Sequence, residues 1–185
     1  MVYTYSSYKV LQKGSKAPEF SLKGIDEKKH SLKEFKGKKT LLAVFMCNHC
    51  PYVKPKVSKL NELQKKYSSK GLQIIGINSN DTEKYPDDSF EKMKEFAEEK
   101  KINFPYLIDE TQETAKNYGA ACTPDPFLFN EKLELVYHGR IDDAHGEPHE
   151  KAKTNELEEA VKQLLEGKKI TVETLPSAGC NIKWK

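Results

Sequence analysis

The chain has 185 residues, a formal net charge of +3 at pH 7 and four cysteines. This length suffices for one domain with a buried core, and four cysteines are too few for a disulfide scaffold, so we expect their role to be chemical. The sequence has no apolar run long enough to cross a membrane and no signal peptide pattern at its N-terminus. We therefore expect a single domain over residues 1–185 that is cytoplasmic and has no membrane partner.

Basic residues are concentrated in the first part of the chain, where residues 1–70 contain 16 lysines and five acidic residues. A positive field of this kind favours a thiolate and attracts acidic partners, although a lysine-rich solvated surface explains the same composition. Arg140 is the only arginine in the sequence, and guanidinium is the group that pairs best with phosphate. We therefore predict no nucleic acid partner.

The middle of the sequence predicts a β-α-β unit over residues 40–78. Residues 40–46 and 72–78 are apolar runs with the length and composition of strands buried on both faces, as in a parallel sheet. Between them, from Cys50 onward, apolar residues recur at the spacing of a helix: Val53, Val57, Leu60, Leu63 and Tyr67. Pro55 falls inside this pattern, where it either bends the helix or delays its start.

The rest of the pattern alternates helices and strands and then changes to an antiparallel hairpin. The predicted elements are a helix with an apolar face at Phe90, Met93 and Ala97, a strand at 104–108, a short helix at 109–118, a hairpin of strands 126–130 and 133–137, and a final helix at 157–165. Asp88 and Glu91 have the spacing of a capping box at the start of the first of these helices. This order predicts an α/β fold with a central mixed sheet flanked by helices.

The segment FMCNHCPY, residues 45–52, places two cysteines three positions apart at the end of the first predicted strand. A cysteine at the start of a helix faces free backbone N–H groups and the positive end of the helix dipole, and both lower its pKa. The spacing brings Cys47 and Cys50 within reach of a disulfide. A protonated His49 between them would favour the thiolate form of the cysteines. An exposed and neutral His49 would leave the pKa values of the cysteines unchanged.

Several motifs together resemble the thioredoxin superfamily, in particular its peroxiredoxin-like branch of AhpC/TSA-type and TlpA-type redoxins. They are GSKAPEF followed by SLKEFKGK near the N-terminus, FMCNHCPYVK at the cysteine pair, CTPDPFLF after the short helix, and GCNIKWK at the C-terminus. The resemblance spans residues 14–165. It implies a thioredoxin-like fold with an N-terminal hairpin extension at 14–39 and a C-terminal tail at 168–185.

The resemblance also implies a function and a site. The expected activity is that of a thiol–disulfide oxidoreductase, of the antioxidant class, that acts on protein or small-thiol disulfides and needs no cofactor and no metal. Cys47, more exposed at the turn, is expected to attack the substrate, and Cys50 to resolve the mixed disulfide. A cis peptide bond between Thr123 and Pro124 is expected to expose backbone groups that pair with an extended substrate.

The groups that support such a site differ from those of the related proteins. The buried aspartate of thioredoxins is replaced here by Leu41, so a proton acceptor for the buried thiol is missing or comes from elsewhere. Arg140 is expected to support the edge of the site as an ion pair with Asp142.

A peroxidase is one alternative. Cys50 followed by Pro51 resembles the peroxidatic Cys-Pro of peroxiredoxins, which would make peroxide the substrate and Cys47 or another thiol the resolving group. The threonine or serine that peroxiredoxins need is replaced by Cys47, and their arginine would be expected near Val136. The peroxidase interpretation therefore lacks two of its three polar groups.

A metal-binding module is the other alternative. Cys47, His49, Cys50 and Cys122 offer the soft ligands that copper or zinc prefers. The two-residue spacer differs from the wider spacing of copper-delivering proteins with this fold.

Two thiols remain without an assigned role, Cys122 and Cys180. Either of them resolves a mixed disulfide, or Cys122 is a buried space-filling residue and Cys180 an inert tail thiol.

Overall fold

The fold was obtained as a computed structural model, which describes residues 2–185. The described residues form ten strands and four α-helices. In chain order these are β1 (Tyr3–Tyr5), β2 (Ser21–Gly24), β3 (Lys29–Ser31), β4 (Thr40–Phe45), α1 (Val57–Tyr67), β5 (Leu72–Asn78), α2 (Phe90–Glu99), β6 (Tyr106–Ile108), α3 (Glu113–Tyr118), β7 (Cys122–Thr123), β8 (Asp125–Asn130), β9 (Leu135–His138), α4 (Glu156–Leu165) and β10 (Ala178–Asn181). Between residues 2 and 185, no helix combines the length and apolar character needed to span a bilayer.

Seven strands form one mixed sheet in the order β3-β2-β6-β5-β4-β8-β9. Strands β4, β5 and β6 run parallel to one another, and β2, β3, β8 and β9 are antiparallel to their neighbours. All of β4 is buried, because helices cover both faces of the parallel part of the sheet. The predicted strands at 40–46 and 72–78 and the predicted mixed sheet are confirmed.

The two faces of the sheet carry separate apolar cores. Side chains alternate along β4, so that Leu42 and Val44 point to one face and Leu41 and Ala43 to the other. The first core includes residues of α1, α2 and α4, and the second includes residues of α3 and of the segment before β4. Helices packed on both faces of a mixed sheet confirm the predicted α/β fold class.

Helix α1 begins later than the apolar spacing predicts. Lys54–Lys56 forms a 3₁₀ turn that contains Pro55, and the α-helix starts at Val57. Proline has no N–H to donate, which breaks an interior helical position but costs nothing just before a helix starts. Pro55 therefore delays the helix, and the alternative of a bend inside the helix is wrong.

The remaining strands form a small antiparallel sheet in the order β1-β10-β7. This sheet brings residues near both ends of the chain to β7. Beyond β10 the backbone of Lys183 is held by the main domain: its N–H donates to Asn80 Oδ1 at 2.9 Å, and its carbonyl accepts from the Asp81 N–H at 2.8 Å. The segment 168–185 therefore contains an ordered strand, which the polar sequence of that segment does not predict.

Candidate active site

The cysteine pair lies directly after the C-terminal end of β4, in the turn that precedes α1. Cys47 and Cys50 are free thiols, and each is 0% exposed. The expectation that Cys47 is the more exposed of the two is therefore wrong. Tyr52 and strand β10 lie over this turn, and a Cβ built on Gly179 in β10 would be 3.2 Å from the Cβ of Tyr52.

Thr123 contacts both sulfur atoms. Its Oγ1 lies 3.7 Å from Cys47 Sγ, and its carbonyl oxygen accepts a hydrogen bond from the protonated Cys50 thiol at 3.2 Å. The peptide bond between Thr123 and Pro124 is cis. The fold thus brings Thr123 to the cysteine pair, more than 70 positions away along the chain.

The two thiols are coupled, and their pKa values shift in opposite directions. A hydrogen bond from Cys47 lowers the pKa of Cys50 to about 5 against the effect of burial, and bonds from the Thr123 side chain and the Cys180 backbone act in the same direction. The pKa of Cys47 is raised well above its usual range by the shared hydrogen bond, by burial and by the charge of Asp88. The hydrogen bond between the two sulfur atoms therefore favours a thiolate on Cys50 and a proton on Cys47. When Cys50 is protonated, its proton is donated to the Thr123 carbonyl instead.

A buried carboxylate, Asp88, supports the cysteine turn from the loop before α2. Its Oδ1 accepts from the backbone N–H of Asn48 at 2.8 Å and of His49 at 3.2 Å. Its Oδ2 accepts from Asn80 Nδ2 at 2.7 Å and lies 2.6 Å from His49 Nδ1. The predicted capping box at Asp88 is wrong, because the N-cap of α2 is Ser89. Asp88 instead satisfies the free N–H groups of the cysteine turn.

Asp88 and His49 form an ion pair. Burial on its own raises the pKa of Asp88, but the hydrogen bonds from His49 and Asn80 hold that pKa below its usual value. The bond to Asp88 raises the pKa of His49, while burial opposes the increase. The interpretation of His49 as an exposed turn residue is therefore wrong, since its side chain is 17% exposed and its ring stacks on Tyr85 with centroids 5.9 Å apart.

Asp88 provides the acidic group that is absent at Leu41. A thiol, imidazole and carboxylate atom from Cys47, His49 and Asp88 all lie within 4.8 Å of one another. Sequence reasoning missed this residue. The signal that could have found it is its position in the loop after β5, because the C-terminal ends of parallel strands such as β4 and β5 meet at one edge of the sheet.

Cys47, His49 and Asp88 also have the separations of metal ligands. This set differs from the predicted copper or zinc site, which includes Cys50 and Cys122. His49 and Asp88 are already bonded to each other at 2.6 Å, so a metal ion would have to compete with that ion pair. The arrangement therefore favours proton transfer beside Cys47.

The other two cysteines have different surroundings. Cys122 Sγ lies 4.0 Å from Ser6 Oγ, and burial raises the pKa of this thiol. Cys180 stands opposite Thr123 in the β7–β10 ladder, and its side chain and backbone both hydrogen-bond to Cys50. The structure thus brings Cys180 into contact with Cys50, whereas Cys122 contacts Ser6.

Arg140 does not pair with Asp142, and that expectation is wrong. The Arg140 guanidinium donates to Glu156 Oε1 from Nε at 2.8 Å and from Nη2 at 2.5 Å. Asp142 is buried and binds Lys56 Nζ at 2.6 Å and His149 Nδ1 at 2.8 Å. A buried carboxylate needs a cation at the same depth, which Lys56 provides because its side chain is only 2% exposed. Arg140 therefore supports the start of α4.

An open cavity of about 340 Å³ lies beside the cysteine turn, lined by Asn48, His49, Lys54 and charged residues of α2. It reaches the exposed side of His49. A larger cavity of about 840 Å³ lies between α1 and α4, and no residue of the cysteine turn lines it. The cavity at His49 is therefore the one that is relevant to thiol chemistry.

Comparisons with known proteins find redox proteins among the similar chains. A sequence model of the family described as Redoxin matches residues 12–161. The chain is 34% identical over 143 residues to the thioredoxin-like protein YneN of Bacillus subtilis, which covers 77% of this chain and 76% of that protein. It is 30% identical over 132 residues to the thiol-disulfide oxidoreductase ResA of Bacillus cereus, which covers 71% of this chain and 72% of that protein. A crystal structure of an uncharacterized conserved protein from Geobacillus kaustophilus has 41% sequence identity and a TM-score of 0.92, covering 100% of this chain and 97% of that chain.

Proposed function

The chain belongs to the Redoxin family of the thioredoxin superfamily, and on this basis we propose that it is a thiol–disulfide oxidoreductase whose redox pair is Cys47 and Cys50. The observation that carries the proposal is that one residue, Thr123, contacts both sulfur atoms, at 3.7 and 3.2 Å. Of two thiols held at one site, one can attack the substrate disulfide and the other can then resolve the mixed disulfide by attacking the first thiol's sulfur. The similarity to a ResA oxidoreductase supports this class of reaction, with protein or small-thiol disulfides as substrates.

The charge distribution favours Cys50 as the first nucleophile. Its thiolate attacks one sulfur of the substrate disulfide, which forms a mixed disulfide and releases the other substrate sulfur as a thiolate. Cys47 then loses its proton and attacks Cys50 Sγ, which forms the Cys47–Cys50 disulfide and releases the second substrate thiolate. The protein loses two electrons and the substrate disulfide gains them. This order is the reverse of the one that the family resemblance implies.

The Asp88 carboxylate serves as the proton acceptor in the second step, and the protonated His49 ring bonded to it can release a proton in exchange. Cys47 holds its proton in the reduced pair, so it must be deprotonated before it can resolve the mixed disulfide. The Asp88 carboxylate and the His49 ring lie within 4.8 Å of its sulfur. His49 also borders the open cavity, so a proton can leave the site through its ring. His49 therefore belongs with the two cysteines in the catalytic set.

Thr123 and Pro124 are the proposed substrate-binding residues. The Thr123 backbone is the edge at which an extended peptide could add as a strand, and β10 occupies that edge in the structure. Both sulfur atoms are 0% exposed. A disulfide substrate therefore reaches them only when the residues that cover them move aside.

A peroxidase is the second candidate, and one observation favours it. The pKa of Cys50, the residue that precedes Pro51, is lowered to about 5 by the hydrogen bond from Cys47. A thiolate at neutral pH is what attack on a peroxide requires. Arg140 is bound to Glu156, which leaves this candidate without its cationic group. Saturable consumption of hydrogen peroxide that is lost in Cys50→Ser and retained in Cys122→Ser would support it.

Equilibration in glutathione redox buffers tests the oxidoreductase. After thiol trapping, mass mapping of every cysteine should show a Cys47–Cys50 disulfide in the oxidised wild-type protein and in the control Cys122→Ser. The reduction potential gives the direction of electron flow, since about −270 mV is typical of a reductant and about −120 mV of an oxidant. If Cys47 and Cys50 form no disulfide with each other at any redox potential of the buffer, the proposal is wrong.

A further inference from the structure

Strand β10 approaches the cysteine turn through a glycine. In the ladder with β7, Cys180 stands opposite Thr123. A Cβ built on Gly179 would lie 2.0 Å from the Thr123 carbonyl oxygen, which is the oxygen that accepts the Cys50 hydrogen bond. Any larger residue at position 179 would push the strand away. Gly179 therefore sets how closely β10 can approach Cys50.

The ladder also determines which way Cys180 points. Residues directly opposite each other in an antiparallel pair project to the same face of the sheet. The Thr123 hydroxyl faces Cys47, so the Cys180 side chain projects toward the redox pair as well. Neighbouring residues alternate, which points Cys122 to the other face. In agreement with this, Cys180 belongs to the same apolar cluster as Cys47 and Cys50.

Cys180 is held in this position from both sides. Before β10, the Ser177 hydroxyl donates to the Pro124 carbonyl at 2.6 Å. After β10, the Lys183 N–H donates to Asn80 Oδ1 at 2.9 Å. The thiol is 2% exposed and hydrogen-bonds to Cys50. A thiol fixed against another sulfur has a high effective concentration for disulfide exchange.

We propose that Cys180 is a third redox thiol, which exchanges a disulfide with Cys50. The inference rests on the proposed redox pair and deepens it: Cys50 is the central sulfur, with Cys47 on one side and Cys180 on the other. Cys122, the fourth thiol, takes no part. Of the two roles left open by the sequence, Cys180 therefore has the redox role and Cys122 the space-filling one.

The exchange needs no further oxidant. Cys180 gives up its proton and attacks Cys50 Sγ in the Cys47–Cys50 disulfide. The Cys50–Cys180 bond forms, the Cys47–Cys50 bond breaks, and Cys47 leaves as a thiolate that takes up a proton. Burial and the neighbouring Cys50 raise the pKa of Cys180 to about 12 in the reduced protein. Once Cys50 is in a disulfide its negative charge is gone, which makes deprotonation of Cys180 easier.

Removal of Cys47 tests the exchange. Cys47→Ser is equilibrated with glutathione and glutathione disulfide, quenched in acid, alkylated and mapped by mass spectrometry. We expect an intramolecular Cys50–Cys180 disulfide. In Cys47→Ser/Cys180→Ser, glutathione should remain on Cys50, and the glutathionylated fraction should rise at least about tenfold, because no internal thiol competes with glutathione. The matched control Cys47→Ser/Cys122→Ser should behave like Cys47→Ser.

Two results would overturn the inference. One is glutathione retained on Cys50 in Cys47→Ser while Cys180 is fully alkylated, and the other is a Cys50–Cys122 disulfide. If Cys47→Ser does not fold, the oxidised wild-type protein decides: a Cys50–Cys180 peptide that is lost in Cys180→Ser supports the inference, and its absence refutes it. Failure of the redox pair itself is distinguishable, because the wild-type protein would then lack the Cys47–Cys50 disulfide.

Discussion

His49 Nδ1 lies 2.6 Å from Asp88 Oδ2, although the two residues are 39 positions apart in the sequence. The contact joins the cysteine turn to the loop before α2 and places a charged pair beside Cys47. Because Asp88 is 0% exposed, water screens this ion pair little. Its charge therefore influences both the imidazole and the thiol.

Asp88→Asn should lower the pKa of His49, because it removes the carboxylate that raises this pKa. The folded-state pKa of His49 is above its ordinary value of 6.5, so the ion pair stabilises the fold below about pH 6.5, and this stabilisation is lost as the pH rises through the folded pKa. We expect Asn to reduce the free energy of unfolding by about 1.5–3 kcal/mol at a pH between the ordinary pKa values of the two groups, 3.8 and 6.5, where both are charged, and by less at high pH. His titration by NMR and urea unfolding at two pH values measure both effects.

The control for this experiment is Asp87→Asn. Asp87 is the exposed neighbour of Asp88, and only its backbone carbonyl binds the Asn48 side chain. Its substitution should leave the His49 titration unchanged. An unchanged titration in Asp88→Asn as well would show that the ion pair does not form in solution.

Cys50 should titrate as a thiolate near pH 5 in the reduced protein. Its folded-state pKa is below the ordinary value of 9.0, so ionisation of Cys50 stabilises the fold above about pH 9, and this contribution is lost as the pH falls through about 5. The ultraviolet absorbance of the thiolate, measured against pH, should show this transition in the wild-type protein and in Cys122→Ser. In Cys47→Ser the transition should remain but move to higher pH, because a serine hydroxyl is the weaker substitute for the thiol bond. A wild-type protein without any transition below pH 7 would contradict the assignment.

The order of attack should be visible in trapped intermediates. Cys47→Ser/Cys180→Ser retains the proposed nucleophile and lacks both resolving thiols, so it should accumulate a mixed disulfide at Cys50. Cys50→Ser/Cys180→Ser should react with the same small disulfide at least about tenfold more slowly at pH 7, because burial and the charge of Asp88 still raise the pKa of Cys47 after the bond to the Cys50 sulfur is gone. Mass mapping of the adducts identifies the reacting sulfur. Faster adduct formation at Cys47 would restore the order that the family resemblance implies.

Lys56→Met should destabilise the protein by about 3–5 kcal/mol, because it leaves the buried carboxylate of Asp142 without its cation. Urea unfolding gives the change in free energy. The control is Lys16→Met, which removes an ion pair to Glu134 in which the lysine side chain is 65% exposed. Exposed pairs contribute about 0–1 kcal/mol, so this variant should be close to the wild type. Equal losses in both variants would show that Asp142 is stabilised by other partners.

The sequence determined the fold class and the proximity of Cys47 and Cys50 because both follow from local patterns. Apolar runs such as 40–46 have to be buried on both faces, which requires a sheet covered by helices. Two cysteines three positions apart at the end of such a strand are held together by the chain itself. The place of Thr123 beside them followed from the family motif around Pro124, not from the spacing alone.

Tertiary structure alone decided which other groups reach the pair. From its spacing to Glu91, Asp88 was predicted to cap a helix. It binds His49 instead, because the C-terminal ends of the neighbouring strands β4 and β5 lie at the same edge of the sheet. Arg140 and Asp142 are close in sequence but bind different partners. The buried carboxylate of Asp142 pairs with Lys56, a cation that is also buried, and Arg140 pairs with Glu156. Cys180 lies in a polar segment with no strand pattern, and its position depends on backbone bonds to β7 more than 50 residues away. Packing between segments that are distant in the sequence determines such contacts. The spacing of residues along the sequence does not predict them.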